Sequence, residues 1–135
     1  MKIDYLQARV VAILAVAMTA FILLLPLNGH GSDTGQVDKA VHHLISRVAA
    51  SDLTFIRNNN QFAGKEAADH IQNKYAYFRD KIKSPEDFIE LCATRSLLSG
   101  KPYLVINEKG AIVSTNAWLR AELAAYRNGI TGKSP

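Results

Sequence analysis

The sequence predicts an α+β domain that is mostly helical, with about four helices and a small two- or three-stranded antiparallel sheet. Three observations support this prediction. Apolar residues recur at helical spacing in four segments, three short segments have the character of strands, and turns rich in Asn, Gly or Pro separate them. Residues 32–128, which hold these segments, have the usual size of a single domain.

The first two helices are predicted from single apolar stripes. Over residues 34–50 the apolar positions fall three or four apart, at Val37, Val41, Leu44 and Val48. A second helix is predicted from about Lys65 to Ile82, with Gly64 as a weak N-cap. Its stripe is formed by Ala68, Ile71, Tyr75, Phe78 and Ile82.

The third helix has the strongest boundary signals. Ser84 is a preferred N-cap, Pro85 suits the first helical position, and Asp87 completes a capping-box arrangement. The helix is predicted to end at Gly100, which should adopt a left-handed conformation. Its amide, or that of the next residue, should bond back to a carbonyl near Ser96.

Apolar residues cover two adjacent sides of this third helix, so we expect it to be the most buried of the four. One side holds Phe88, Leu91, Cys92 and Leu98. We expect nearly full burial of Phe88, Ile89 and Cys92. Because Cys92 is the only cysteine, the chain forms no internal disulfide, and its apolar neighbours favour a buried thiol.

Three short segments are predicted to form the sheet: Leu53–Arg57, Tyr103–Asn107 and Ala111–Thr115. The first should pair with the second. The three asparagines at 58–60 are expected to form the turn that follows the first strand, and Gly110 provides the positive φ of a later turn. A last helix is predicted over residues 116–127.

Residues 1–31 have the layout of a secretory signal. A short basic start precedes an apolar run over residues 10–25, and small residues follow Pro26. We expect either cleavage near Gly31 or retention as an N-terminal anchor in the inner membrane. Both alternatives place the following domain in the periplasm, and the membrane would be contacted only through this segment. Residues 129–135 are expected to be a flexible tail.

The charge pattern argues against nucleic-acid binding. The chain has 16 Lys and Arg residues against 12 Asp and Glu, and the basic residues are spread along it rather than clustered. No metal site is predicted, because His42 and His43 are adjacent and point about 100° apart on a helix. No cofactor is predicted, since "TGKS" at 131–134 lacks the first glycine of a phosphate loop.

Four motifs occur in the order "FIRNNNQF", "AADHIQNKY", "SPEDFI" and "ATRSLLSGKPYLV". In this order and spacing they resemble the YfeK-like proteins, a family of small exported bacterial proteins with a domain of unknown function. The resemblance covers about residues 44–124 and implies an envelope location without an established activity. The family usually has Arg-Asn-Gly where this chain has Arg57-Asn58-Asn59. Because Asn tolerates a left-handed conformation, the turn should be retained.

The motifs supply more caps, turns and core residues than titratable groups, which favours a non-catalytic binding or accessory module over an enzyme. Its partner would be an envelope protein or a small ligand. Three residues are candidates for ligand binding: Arg57, Lys74 and Tyr103. The planar fork of Arg57 suits a carboxylate or a phosphate, although it also suits the carbonyls at a helix end.

The alternative is a small periplasmic hydrolase. Ser96 or Ser99 would be its nucleophile, His70 its base, and Glu66 or Asp69 the orienting acid. The sequence has no G-x-S-x-G nucleophile elbow. This alternative requires His70 to lie within hydrogen-bond reach of a serine oxygen, which only a structure can test.

Overall fold

The computed structural model describes residues 31–129, which belong to one compact unit beginning at Gly31. The helices are α1 (Gly31–Ala50), α2 (Gly64–Phe78), α3 (Pro85–Ala93) and α4 (Thr115–Arg127). The strands are β1 (Thr54–Arg57), β2 (Asn60–Ala63), β3 (Leu104–Ile106) and β4 (Ile112–Ser114). They form one antiparallel sheet in the order β2-β1-β3-β4, so the predicted α+β class is confirmed.

The predicted signal or anchor at residues 1–31 lies outside the described residues except for Gly31, which begins α1. The predicted tail lies outside them except for Gly129. Between residues 31 and 129, none of the helices combines the length and apolar character that a membrane crossing requires.

The sheet has one strand more than predicted. Asn58 and Asn59 form a two-residue hairpin turn with φ of 52° and 68°, and Asn60 already belongs to β2. Positive φ at both central residues is what the twist of a two-residue hairpin requires. The sequence did not reveal β2 because it is an edge strand in which only Phe62 is apolar and long enough to mark an inner face. The predicted pairing of β1 with β3 is confirmed.

The third helix is shorter than predicted. It ends at Ala93, and Thr94 then donates its hydroxyl to the Ile89 carbonyl at 2.9 Å. Residues 96–100 form a separate tight turn, in which the Gly100 amide donates to the Ser96 carbonyl at 3.0 Å and Gly100 has a φ of 68°. The predicted conformation of Gly100 is therefore confirmed, but its assignment to a helix end is wrong. Leu98, which was expected to face inward, is 98% exposed.

The second helix also differs at both ends. It ends at Phe78 rather than Ile82, and a 3₁₀ turn at Arg79–Lys81 follows. At its start Ala63 occupies the N-cap position, and the Glu66 carboxylate accepts the Ala63 amide at 3.1 Å. Gly64 is the first helical residue rather than the cap. It lies so close to the end of α1 that a Cβ atom there would collide with backbone oxygens.

Helix α3 lies at the centre of the core, as predicted. Phe88, Ile89 and Cys92 are all 0% exposed. Burial raises the pKa of the Cys92 thiol to about 11, so this residue acts as a small hydrophobe within the core. The core also takes Phe55 from β1 and Val105 from β3, which pair across the sheet. These two residues identify the inner face of the sheet.

Candidate functional site

A row of polar side chains crosses one end of the inner sheet face. Phe55 pairs with Val105, and the same register continued by two residues places Arg57 beside Tyr103. The Thr115 amide donates to the Tyr103 carbonyl at 2.9 Å, which places Thr115 on the other side of Tyr103. Because residues two apart on a strand share a face, Arg57, Tyr103 and Thr115 lie on the same face as the core.

His70 on α2 joins two members of this row. Its Nδ1 atom lies 2.5 Å from an Arg57 guanidinium nitrogen, and its Nε2 atom lies 3.0 Å from the Tyr103 hydroxyl. A guanidinium only donates hydrogen bonds, so Nδ1 must accept and the imidazole proton must sit on Nε2. His70 therefore donates to the Tyr103 oxygen. The proton of that hydroxyl has no acceptor among residues 31–129, and it remains available to a ligand.

The surroundings of the pocket favour a neutral His70 imidazole and a protonated Tyr103 hydroxyl. Burial, followed by the charges of Arg57 and Lys74, lowers the pKa of His70, which favours the neutral imidazole. Burial also raises the pKa of Tyr103, so its hydroxyl keeps its proton. Within residues 31–129 the Arg57 guanidinium forms no ion pair with a carboxylate.

Lys74 lies one helical turn after His70 and is 6% exposed. Its Nζ donates to the Arg95 carbonyl at 3.0 Å and lies 5.1 Å from the centroid of the Tyr103 ring. Burial lowers its pKa. Lys74 therefore packs against the Tyr103 ring, and its bond to Arg95 connects the segment after α3 to α2. It is not among the residues that line the adjacent pocket.

A pocket of about 120 Å³ lies between the sheet and α2. Its apolar lining comprises Phe55, Ile56, Phe62, Ala67, Ile71 and Leu104. Its polar lining comprises Arg57, Glu66, His70, Tyr103 and Thr115. The Arg57 guanidinium carbon lies over the Phe62 ring, 4.8 Å from its centroid, and this cation–π contact helps to hold the arginine side chain at the pocket.

Thr115 is a member of this lining that the sequence did not single out. It is 1% exposed, and its Oγ1 has no hydrogen-bond partner among the described residues. Buried hydroxyl groups normally form hydrogen bonds, so a hydroxyl group without a partner in a pocket wall requires an explanation. Nothing local to Thr115 indicates this role, because its position depends on the pairing of β3 with β4.

The two candidate serines belong to a different network. Ser99 donates its hydroxyl to the Asn58 side-chain oxygen at 2.6 Å, and the Asn58 amide reaches the Ser96 hydroxyl at 3.5 Å. These bonds tie the 96–100 turn to the β1–β2 hairpin. Within residues 31–129 His70 bonds to Arg57 and Tyr103, and neither serine is among its partners. The described contacts do not assemble the serine–histidine pair that a hydrolase would require.

The ligand-binding candidates thus come together, while the catalytic candidates divide between two networks. Arg57, Tyr103 and His70 line one pocket, and Lys74 lies beneath the Tyr103 ring. Within the described residues no three His, Cys, Asp or Glu side chains cluster in a way that could hold a metal ion. The arrangement can receive an apolar group and donate hydrogen bonds to an acceptor at its polar end.

The fold and the pocket define a small α+β domain with an amphipathic pocket lined by an arginine. The model of a family of unknown function, DUF5329, matches residues 35–127, which include the whole pocket, and the chain belongs to this family. The chain is also 32% identical over 89 residues to the uncharacterized protein YfeK of Salmonella typhimurium (strain LT2), covering 64% of this chain and 72% of that protein. The resemblance to the YfeK-like proteins is therefore confirmed. No solved structure matches the chain.

Proposed function

We propose that this protein is a non-catalytic binding module of the bacterial envelope, and that the pocket between the sheet and α2 is its ligand site. One observation carries the proposal. The donor chain from Arg57 through His70 to Tyr103 ends at an unpaired hydroxyl proton in the polar lining of an apolar pocket. Pockets with mostly apolar walls and a few convergent polar groups are typical ligand sites.

Binding accounts for this arrangement better than catalysis. Both ring nitrogens of His70 are engaged, and the lowered pKa of the imidazole matches its role as a fixed connector. The raised pKa of Tyr103 suits a hydrogen-bond donor and opposes loss of its proton near neutral pH. A general base would instead need a free lone pair near the reacting atom.

The site can be tested by replacing Tyr103 with Phe, which removes the hydroxyl and keeps the ring. Small anions, amines, alcohols and sugars would be screened against the purified protein by thermal shift and NMR. We expect anionic compounds to bind, and we expect Tyr103→Phe to weaken them about 10- to 100-fold, because one hydrogen bond to a charged group is lost.

Tyr77→Phe is the matched control, because it removes the same hydroxyl from a side chain in the last turn of α2 that is 78% exposed and does not line the pocket. It should leave affinity unchanged. A pocket that prefers amines, or anions that bind equally to the Tyr103→Phe protein, would contradict the proposed site.

The envelope location forms the second part of the proposal. It is supported by the basic, apolar and small-residue order of residues 1–31. A reporter enzyme that is active only in the periplasm, fused after Pro135, should be active in cells, and deletion of residues 1–31 should abolish its activity. Mass spectrometry of the mature N-terminus distinguishes cleavage near Gly31 from a retained anchor. An inactive reporter in cells that contain the intact fusion would contradict export.

A further inference from the structure

We infer that the pocket takes a monocarboxylic acid whose apolar body is about the size of one benzene ring or one branched aliphatic side chain. The Arg57 guanidinium and the Tyr103 hydroxyl would hold the carboxylate. This inference rests on the proposed function and names the ligand class for the same site.

The charge of the lining favours a single negative charge. Arg57 contributes one delocalised positive charge in a planar fork, a shape that matches the two oxygens of a carboxylate. One of its nitrogens already bonds to His70 and its central carbon lies over the Phe62 ring, so the remaining N–H groups are the part left for a ligand. Glu66 also belongs to the lining, and its charge opposes a dianion such as a phosphate.

The size of the pocket limits the apolar body. A cavity of about 150 Å³ lined by aliphatic and aromatic residues is known to hold benzene, and this pocket is about 120 Å³. The pocket is partly open to solvent, so it has room for one ring or one branched chain, and a larger body would extend out of its mouth. Its walls include Phe55, Phe62 and Ile71, which offer no polar group to a second charged end.

Thr115, at the other end of the polar row, favours a ligand with a second polar group. It stands two strands away from Arg57, which is about 10 Å at the usual strand spacing. Its buried and unpaired hydroxyl would gain a partner from an oxygen at the far end of the ligand. An acid that carries a hydroxyl or carbonyl opposite the carboxylate should therefore bind better than the plain acid.

Two sources could supply such a carboxylate: a free aromatic or branched acid, and the C-terminal residue of a peptide. The same groups would recognise both. Titrations of the full chain with benzoate and 4-hydroxybenzoate represent the free acid, and titrations with N-acetyl-leucine represent the peptide end. Benzamide and N-acetyl-leucinamide are matched probes without the charge, and inorganic phosphate is the dianionic control.

We expect at least one acid to bind at least about 10-fold more tightly than its amide, because the charge-assisted bonds to Arg57 are lost in the amide. Arg57→Lys should reduce this ratio, since it keeps the charge and removes the fork. Glu66→Gln should raise acid affinity about 2- to 5-fold, because it removes a repelling charge and keeps an oxygen for the Ala63 amide. Thr115→Val should remove the preference for 4-hydroxybenzoate over benzoate.

The outcomes separate the two proposals. If amides or phosphate bind as well as the acids, the carboxylate assignment is wrong while the binding site stands. If neither these probes nor the wider screen bind, both proposals fail. Because Glu66 is exposed, its substitution should leave the fold intact, and unchanged acid affinity in that folded variant would also overturn the assignment of the anion to this pocket.

Discussion

His70 shows how the chemistry of one residue is set by its neighbours. Its two ring nitrogens contact an obligate donor, Arg57, and a hydroxyl, Tyr103, which together select the tautomer with the proton on Nε2. The burial of the ring, followed by two nearby positive charges, then lowers its pKa. The same residue type on an exposed helix face would titrate near 6.5.

We expect nitrogen NMR of the protein near pH 7 to show neutral His70 protonated at Nε2, with a pKa below 6.5. In Arg57→Gln the pKa should rise, because a positive neighbour is removed, while Arg120→Gln on α4 should leave it unchanged. Since the unfolded chain binds this proton first, acidification below pH 6.5 through the folded-state pKa should lower the free energy of unfolding. A protonated imidazolium at pH 7, or a proton on Nδ1, would contradict the network.

At the scale of one element, the segment after α3 shows that a glycine with positive φ can be predicted correctly and still belong to a turn rather than to a helix end. Gly100 and Pro102 have the spacing of a helix stop, yet the helix ends seven residues before Gly100. Arg95 instead forms a bridge with Pro102, and the Ser96 amide donates to the Lys101 carbonyl at 2.9 Å. These bonds close residues 96–100 into their own turn.

Gly100→Ala should lower the free energy of unfolding by about 1 kcal/mol, because the left-handed conformation disfavours a Cβ atom. No atom lies within 4 Å of the position of that Cβ, so conformational strain is the whole cost. Urea denaturation measures the change. Gly35→Ala is the opposite control: Gly35 is exposed within α1 with the same open surroundings, so alanine should raise stability there. Equal effects at both sites would contradict the turn geometry.

At the scale of the whole molecule, the start of α2 is set by its contact with the end of α1. Gly64 lies against the backbone oxygens of Val48 and Ser51, and no larger residue fits there without a shift. The first turn of α2 carries Glu66, and the next carries His70. The close approach of the two helices therefore helps to position the pocket wall.

Gly64→Ala should cost more than Gly100→Ala, about 2–3 kcal/mol, because the added methyl group must push two backbone segments apart. Urea denaturation gives the cost, and the NMR signal of the His70 ring reports whether α2 has moved. We expect that signal to shift in Gly64→Ala and to remain unchanged in Gly35→Ala. A loss of stability no larger than that of Gly100→Ala would contradict a tight contact between the start of α2 and the end of α1.

Local patterns were sufficient to predict much of the fold. The Ser84 cap is confirmed, with its hydroxyl accepting the Asp87 amide at 3.1 Å, and the core position of α3 is confirmed by Phe88, Ile89 and Cys92. These features depend on residues within one or two helical turns of each other, so they can be recognised from a short stretch of sequence. The missing strand β2 shows the limit: an exposed edge strand with little apolar pattern has no local signal.

The sequence by itself determined the α+β class, the buried α3 and the left-handed turns at Asn58, Asn59 and Gly100, because backbone preference and apolar spacing act over a few residues. Only the tertiary structure decided which polar residues meet. His70 and Tyr103 are 33 positions apart and come from a helix and from the residue before β3. Strand register and the packing of α2 on the inner face of the sheet bring them together, and these are set by the whole core rather than by any segment.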